Sequence, residues 1–364
     1  MKKLACVLMG LMVLSLAFGC GGPKEGVTPE TGKYWPTEGW RTSAPEEQGM
    51  DPAKLGQMMD YISENNLAID SVVVVRNGYI VFEEYPNPVY DKDMPHIIHS
   101  ITKSFVSSLL GIAIREGLIE GVDQKFVDLF PERTIQNLDS RKESITLENV
   151  LTMSVGMEWN EWKYAYTDAR NDYIKAVYYS SDPVQYVLDL PMMEDPGVRW
   201  NYNGGTSHLL SALVSEVTGY DTLEYAKKFL FAPLGITQSR WDADRHGIRY
   251  GGGGLYLTPR DMAKFGYLYL NNGMWEGEQI VPADFVAKAT KTHFAVDAYT
   301  GYGYQSWWIC RDTGVYYAAG LYGQRIYVDH ELDLVVVFTA NIKGPDPESQ
   351  MRHMVYEFIR GACD

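Results

Sequence analysis

The stretch His99-Ser100-Ile101-Thr102-Lys103-Ser104-Phe105 decides how the rest of the chain is read. It opens an apolar segment, Val106 to Glu116, that stops at Gly117, a residue suited to the left-handed position after a helix end. Phe105, Val106, Leu109, Leu110, Ile112 and Ala113 cover most faces of such a helix, so it is expected to be buried. Ser100 and Lys103 stand three apart and share a face at its start. A hydroxyl at a helix N-terminus feels the positive end of the dipole, which favours alkoxide character. A lysine held in a buried, positively biased place can serve as base to that hydroxyl. The bland alternative is a helix cap beside a solvated lysine, because Ser-x-x-Lys also arises by chance.

Outward from this helix, both ends of the chain read as sheet. Asp51-Pro52 is an N-cap followed by a first-turn proline, and Leu55, Met58, Met59 and Ile62 form one stripe. Ser71–Arg76 and Tyr79–Tyr85 are β-rich runs joined at Asn77-Gly78, a hairpin turn that needs positive φ at both positions. Near the C-terminus, strand-like runs occupy Tyr302–Ile309, Val315–Ala319, Gln324–Val328 and Leu334–Thr339. A last helix follows Asp346-Pro347, with Met351, Met354, Val355, Phe358 and Ile359 on one face. The segment between is mainly helical. The expected fold is therefore α/β in the α+β sense: one antiparallel sheet from both chain ends, flanked by helices, with a helical insert. The sheet part covers about 40–95 and 300–364, and the helical part about 96–299.

Within the insert, Pro196-Gly197-Val198-Arg199-Trp200-Asn201-Tyr202-Asn203-Gly204-Gly205 leads into a helix over Thr206–Val217, closed by Gly219. Tyr202 thus sits in a Gly-rich turn just before a helix, from which it can project into a cleft. A tyrosine beside a lysine can relay a proton. Against that, Tyr202 is one of 26 tyrosines, any of which can fill a core.

Ser100-Ile101-Thr102-Lys103 followed by Pro196-Gly197 and Tyr202 resembles the serine β-lactamase and penicillin-binding superfamily. The likeness is to the branch of class C β-lactamases, related esterases and nylon-oligomer amidases. Leu151-Thr152-Met153-Ser154-Val155-Gly156 resembles the family's Leu-Leu-Thr-x-x-Ser-Gly segment. Gly253-Gly254-Leu255-Tyr256-Leu257-Thr258-Pro259-Arg260-Asp261-Met262-Ala263 resembles its Gly-Gly-Leu-x-Ser-Thr-x-x-Asp-Leu-Ala segment. Tyr302-Gly303-Tyr304 and Trp307-Trp308 match the start of its sheet. The likeness runs in order from about Trp40 to the end.

The resemblance implies a β-lactamase/transpeptidase-like fold with Ser100 as the acylated nucleophile. Lys103 is then the base, and Tyr202 the proton carrier to the leaving group. It implies an oxyanion hole made by the backbone N–H groups of Ser100 and Leu321. No metal or organic cofactor is implied. Two departures matter. The family's Tyr-x-Asn becomes Tyr202-Asn203-Gly204, and its Lys/His-x-Gly strand motif becomes Ala318-Ala319-Gly320. The side chains that hold a β-lactam's amide and carboxylate are therefore missing. An esterase or amidase acting on a small molecule fits better than a penicillinase or D-amino-acid peptidase. Ala318, Gly320 and Asn203 remain substrate-binding candidates, although Asn203 is better suited to forming a turn. A ligand-binding protein that kept the fold without catalysis has no need of Ser100, Lys103 and Tyr202 together.

Four other patterns compete for attention. Thr152-Met153-Ser154-Val155-Gly156 half-matches a nucleophile elbow but lacks its first glycine. Gly251–Gly254 is not followed by Lys-Ser/Thr, as a phosphate loop requires. His96 and His99 lack an evident third metal ligand. Trp159, Trp162, Tyr164 and Tyr166 could line a pocket or fill a core.

Composition limits the remaining classes. The 364 residues carry 32 Lys+Arg against 47 Asp+Glu, a net of −15, which disfavours nucleic acid and other polyanions. The 13% aromatic content argues against disorder, and 4 Cys are too few for a disulfide scaffold. Lys2-Lys3, an apolar run and Ala17-Phe18-Gly19-Cys20 read as an export signal over 1–19. A cysteine at the cut resembles a bacterial lipoprotein signal, with Cys20 lipidated and the protein held on an envelope membrane. Ordinary secretion with cleavage elsewhere is the alternative. Loss of 1–19 removes two lysines and no acid, so the net charge becomes −17. Residues 20–39 read as a flexible tether and 40–364 as the folded domain. Outside the signal and the anchor, Cys310 and Cys363 either pair or stay free.

Overall fold

Asp51 caps the first helix, α1 (Pro52–Glu64), by accepting from the Ala53 N–H at 2.8 Å, and Leu55, Met58 and Ile62 are buried beneath it. The structure, a computed structural model, describes residues 33–343 and 347–363. The signal over 1–19, the Cys20 anchor, most of the tether and Asp346 lie outside the described residues. Among the described residues no helix is long and apolar enough to cross a membrane. The folded part begins earlier than composition suggests. The Trp35 ring lies 5.2 Å from that of Trp275 and 5.7 Å from that of Tyr267, and Thr37 Oγ1 accepts from Trp275 Nε1 at 2.8 Å. Tyr34, Trp35 and Pro36 supply apolar surface that the preceding Gly/Glu/Lys-rich stretch lacks, so folding captures them.

Strands β1 (Ile69–Arg76) and β2 (Tyr79–Glu84) form the expected hairpin, with φ of 52° at Asn77 and 80° at Gly78. The remaining strands of the sheet come late in the chain. They are β3 (Phe294–Ala295), β4 (Thr300–Tyr302), β5 (Trp307–Cys310), β6 (Tyr316–Gly320), β7 (Gln324–Asp329) and β8 (Leu334–Ala340). Their order is β2-β1-β8-β7-β6-β5-β4-β3, every neighbour antiparallel. The first hairpin therefore completes a sheet begun at the other end of the chain, as expected.

Alternation distributes the side chains. Val73, Val75, Ile326, Val335 and Val337 join the larger core with α2 (Thr102–Arg115), α3 (Gly204–Thr218) and α4 (Pro259–Leu270). Val72, Val74, Tyr327, Val336 and Phe338 face α1 and the last helix, α5 (Pro347–His353), which continues as π-helical turns over Met354–Ile359. Because helices cover both faces, runs such as Val72–Val75 are apolar at every position.

Two expectations are corrected. The run Tyr302–Ile309 is not one strand. Gln305 and Ser306 take φ of 41° and 70°, which breaks it into β4 and β5. The reason is long-range. Gln305 is buried, and its N–H donates to Leu151 O at 2.9 Å while its Nε2 donates to Val150 O at 2.8 Å. Its Oε1 accepts from Ser207 Oγ at 2.7 Å and its carbonyl from Ser104 Oγ at 3.0 Å. One residue thus pins the sheet to α2, α3 and the 147–154 segment. The second correction concerns Cys310 and Cys363, which are both free thiols. Cys310 is on β5, whereas the Cys363 thiol lies beside Arg76 at the end of β1. Four strand places separate β1 from β5, roughly 19 Å at about 4.8 Å per strand, beyond the reach of a disulfide.

Replacing Gln305 by Leu keeps the volume but leaves Ser207 Oγ and Val150 O short of a partner. Gln305→Leu is expected to lower stability by about 1–3 kcal/mol in urea unfolding, against a control at an exposed position.

Candidate active site

Ser100 lies in a single 3-10 turn, His99–Ile101, that runs directly into α2. His99 has a left-handed φ of 48°, so the chain turns sharply just before the serine. The start of α2 is held from outside. His96–Ile97 pairs with Leu255–Leu257, and Leu255 N–H donates to Thr102 Oγ1 at 3.3 Å. That pairing carries the glycine run 251–254 to the helix start. Gly251 must be glycine, since a Cβ there would collide with the Ser207 carbonyl on α3.

Lys103 is 1% exposed. Its Nζ donates to Ser100 Oγ at 3.0 Å and to the Gly252 carbonyl at 2.8 Å. No carboxylate pairs with it among the described residues. Tyr202 Oη donates to the same Ser100 Oγ at 2.9 Å, and the Lys103 Nζ stands 5.0 Å from the Tyr202 ring centre. The three tips expected to converge do so, with the serine oxygen between the amine and the phenol.

Tyr202 is set by its neighbours in sequence. Asn201 N–H donates to Met153 O at 2.8 Å, and Asn201 Nδ2 to Trp159 O at 2.8 Å. Asn203 then caps α3, its Oδ1 accepting from Thr206 N–H at 3.0 Å. The buried Glu161 carboxylate accepts from Gly204 N–H at 2.5 Å, from Trp159 Nε1 at 3.0 Å and from Tyr166 Oη at 2.7 Å. Trp162 stacks on the Tyr202 ring at 5.3 Å. The 152–156 segment is thus a scaffold for Tyr202, and its Ser154, 1% exposed, is bonded to Thr152 at 2.9 Å.

These residues line a cleft of about 970 Å³. One side is aromatic, with Trp162, Tyr166, Tyr173, Tyr178 and Tyr250. The other is the end of β6, with Gly320 and Leu321. A Cβ at Gly320 would collide with the Ile98 carbonyl, so glycine there lets β6 lie against the turn that bears Ser100. His99 also lines the cleft. Burial, reinforced by Lys103, pushes its pKa down to about 4, so the ring is neutral at neutral pH.

Several expected site residues lie elsewhere. Ala318 is fully buried, with its side chain in the larger core beneath the sheet, and does not line the cleft. Asn203, 1% exposed, is spent as a helix cap and does not line it either. Trp159 is buried and Tyr164 packs with Arg170, so of the four aromatic candidates only Trp162 and Tyr166 reach the cleft. His96 stacks on Tyr90 at 4.0 Å while His99 meets Tyr322. No group of three or more His, Cys, Asp or Glu among the described residues is arranged to hold a metal. Sequence reasoning missed Glu161 and Gly252. The glycine run was a signal for the second; nothing local marks the first.

The sequence profile described as Beta-lactamase matches residues 56–358. The chain is 25% identical over 305 residues to a 6-aminohexanoate-dimer hydrolase of Paenarthrobacter ureafaciens, covering 78% of this chain and 75% of that one. Among solved structures, a candidate 6-aminohexanoate-dimer hydrolase from Bacillus anthracis superposes with a TM-score of 0.74 at 22% identity, over 90% of this chain and 89% of that one. EstCE1, a hydrolase with promiscuous acyltransferase activity, gives 0.71 at 15% identity, over 85% and 99%. These two likenesses establish the fold.

Asn203→Ala removes the cap. It is expected to cost about 1 kcal/mol in thermal or urea unfolding while leaving KM for any turned-over substrate within about twofold. A large rise in KM at unchanged stability would return Asn203 to the substrate site.

Proposed function

The chain belongs to the beta-lactamase family of serine hydrolases, and on that footing we propose that it cleaves a small carboxylic ester or amide through a Ser100 acyl-enzyme. The observation that carries this is the convergence of Lys103 Nζ and Tyr202 Oη on Ser100 Oγ, at 3.0 and 2.9 Å. As Ser100 Oγ attacks the carbonyl carbon, Lys103 takes its proton. The carbonyl oxygen becomes an oxyanion, met by the N–H groups of Ser100 and Leu321. Collapse expels the alcohol or amine, which receives a proton through Tyr202. Water then attacks the acyl group with the same two residues returning the protons.

The cleft favours esters and amides over β-lactams. No cation stands at Ala318, and the cationic side chains lining the cleft are already engaged. Lys103 is bonded to Ser100, and Arg325 is paired with Glu348 at 2.5 Å. A substrate carboxylate therefore lacks the partner that a penicillin needs. The named relatives, an amide hydrolase and a hydrolase with acyltransferase activity, support the same substrate classes.

A fluorophosphonate probe is expected to label the wild-type protein and not Ser100→Ala. Lys103→Ala should slow labelling by about 100-fold or more, and Tyr202→Phe should reduce turnover by about 10- to 100-fold. An unlabelled wild type, or label surviving in Ser100→Ala, would remove the proposal. A fluorescent penicillin should form little adduct; a strong one would favour the β-lactam alternative.

The N-terminal sequence supports export and lipidation at Cys20. Cells fed an alkyne fatty acid should yield labelled protein, and Cys20→Ala should abolish the label and release the protein from membranes. Membrane retention of an unlabelled Cys20→Ala protein would count against the anchor.

A further inference from the structure

The end of β6 carries an interaction that proton transfer at Ser100 does not explain. Arg325 on β7 is 5% exposed. Its Nη1 donates to the carbonyls of Gly320 and Gln324, each at 2.8 Å. Its Nη2 donates to Glu348 Oε2, on α5, at 2.5 Å. Burying a guanidinium is costly unless its donors are met; both Nη groups are bonded while Nε has no partner, so the placement is held through the Nη groups.

The Gly320 carbonyl belongs to the same peptide unit as the Leu321 N–H. No peptide bond among the described residues is cis, so this C=O and N–H point in opposite directions. Successive carbonyls of a strand alternate between its two edges. The Ala319 carbonyl points to the β5 side, where it accepts from Ser306 Oγ at 3.1 Å. The Gly320 carbonyl therefore points to the β7 side, where Arg325 meets it. The Leu321 N–H then points back toward the β5 side. Beyond Ala318, which pairs with Trp307, that edge has no strand partner and lies against the Ile98–Ser100 turn. Immediately afterwards, Tyr322 and Gly323 take φ of 62° and 97°, so the chain turns sharply back to Gln324, which pairs with Gly320 at the start of β7.

We infer that Arg325, braced by Glu348, is a positioning residue that clamps the Gly320–Leu321 peptide and polarises its N–H toward the oxyanion. This rests on the Ser100 acyl-enzyme reading. A cationic donor on the carbonyl withdraws electron density along the amide and makes its N–H a stronger donor. It also prevents the peptide plane from rotating as charge develops. The clamp stands outside the reacting atoms, and its reach to α5 makes the C-terminal helix part of the oxyanion hole's support.

The test compares wild type, Arg325→Met, Arg325→Lys and Glu348→Gln on 4-nitrophenyl acetate and its thiono analogue. Sulfur accepts hydrogen bonds poorly, so the thiono substrate gains little from the hole. Ser100 labelling by a fluorophosphonate, whose phosphoryl oxygen enters the same hole, is a readout independent of ester or amide preference. Arg325→Met should lower kcat for the oxo ester, and the labelling rate, by about 10- to 100-fold with KM nearly unchanged. The thiono rate should fall much less, so the oxo-to-thiono ratio collapses. Arg325→Lys should recover part of the ratio, and Glu348→Gln should shift it less, in the same direction. If Arg325→Met does not fold, the other two variants carry the same ratio. Oxo and thiono rates falling together would reduce Arg325 to a structural role, and unchanged rates in folded variants would overturn the clamp outright. A wild type that neither labels nor turns over fails the serine-hydrolase proposal itself, and the clamp with it.

Discussion

A lysine amine buried with no carboxylate paired to it among the described residues is the constraint around which this molecule is arranged. Removing an ammonium-type group from water is expensive, and Lys103 offsets that cost with two acceptors, Ser100 Oγ and the Gly252 carbonyl. A carboxylate partner would stabilise the charge and spoil the amine as a base. Two neutral oxygens hold it in place against the serine. The cost of this arrangement is geometric. A backbone carbonyl must be brought in past α3, where Gly251 leaves no room for a Cβ against the Ser207 carbonyl.

From that constraint the two halves of the fold acquire distinct tasks. The helical part supplies Ser100 in the turn that opens α2, Lys103 on α2, Tyr202 before α3, and the carbonyl of Gly252. The sheet supplies one peptide unit, Gly320–Leu321. Gln305 binds the two parts together, because its backbone and side chain contact α2, α3 and the 147–154 segment at once. The break between β4 and β5 follows from that docking role. The buried Glu161 carboxylate does for the Tyr202 turn what Asn203 does for the helix behind it. Each satisfies an amide at the N-terminus of α3 that would otherwise be orphaned.

Much of this was legible from local signals. The Asp51 cap, the Asn77-Gly78 turn, the helix from Thr102 and the glycine stop at Gly219 are decided within a few residues, by hydrogen bonds and backbone preferences that short segments already possess. The pairing of chain ends followed from β-rich runs at each end. The break at Gln305 was not legible, since its left-handed backbone is selected by partners far away in sequence. Cys310 and Cys363 illustrate the same limit: composition allows them to pair, and strand order keeps them apart.

By itself the sequence determined the identities and spacings that chemistry needs: a serine and a lysine three apart at a helix start, a tyrosine before a second helix, and a strand that ends in glycine. Spacing within one helix is set by covalent geometry, so Ser100 and Lys103 could be paired without coordinates. Only the tertiary structure decided that Tyr202 reaches the same oxygen, that Asn203 and Ala318 turn away from the cleft, and that Glu161, Gly252 and Arg325 line it. Glu161 meets Gly204, Gly252 meets Lys103 and Arg325 meets Glu348 across gaps of 43, 149 and 23 residues. Several of these contacts are made by backbone amides and carbonyls, which every residue carries and which therefore leave no mark in a sequence.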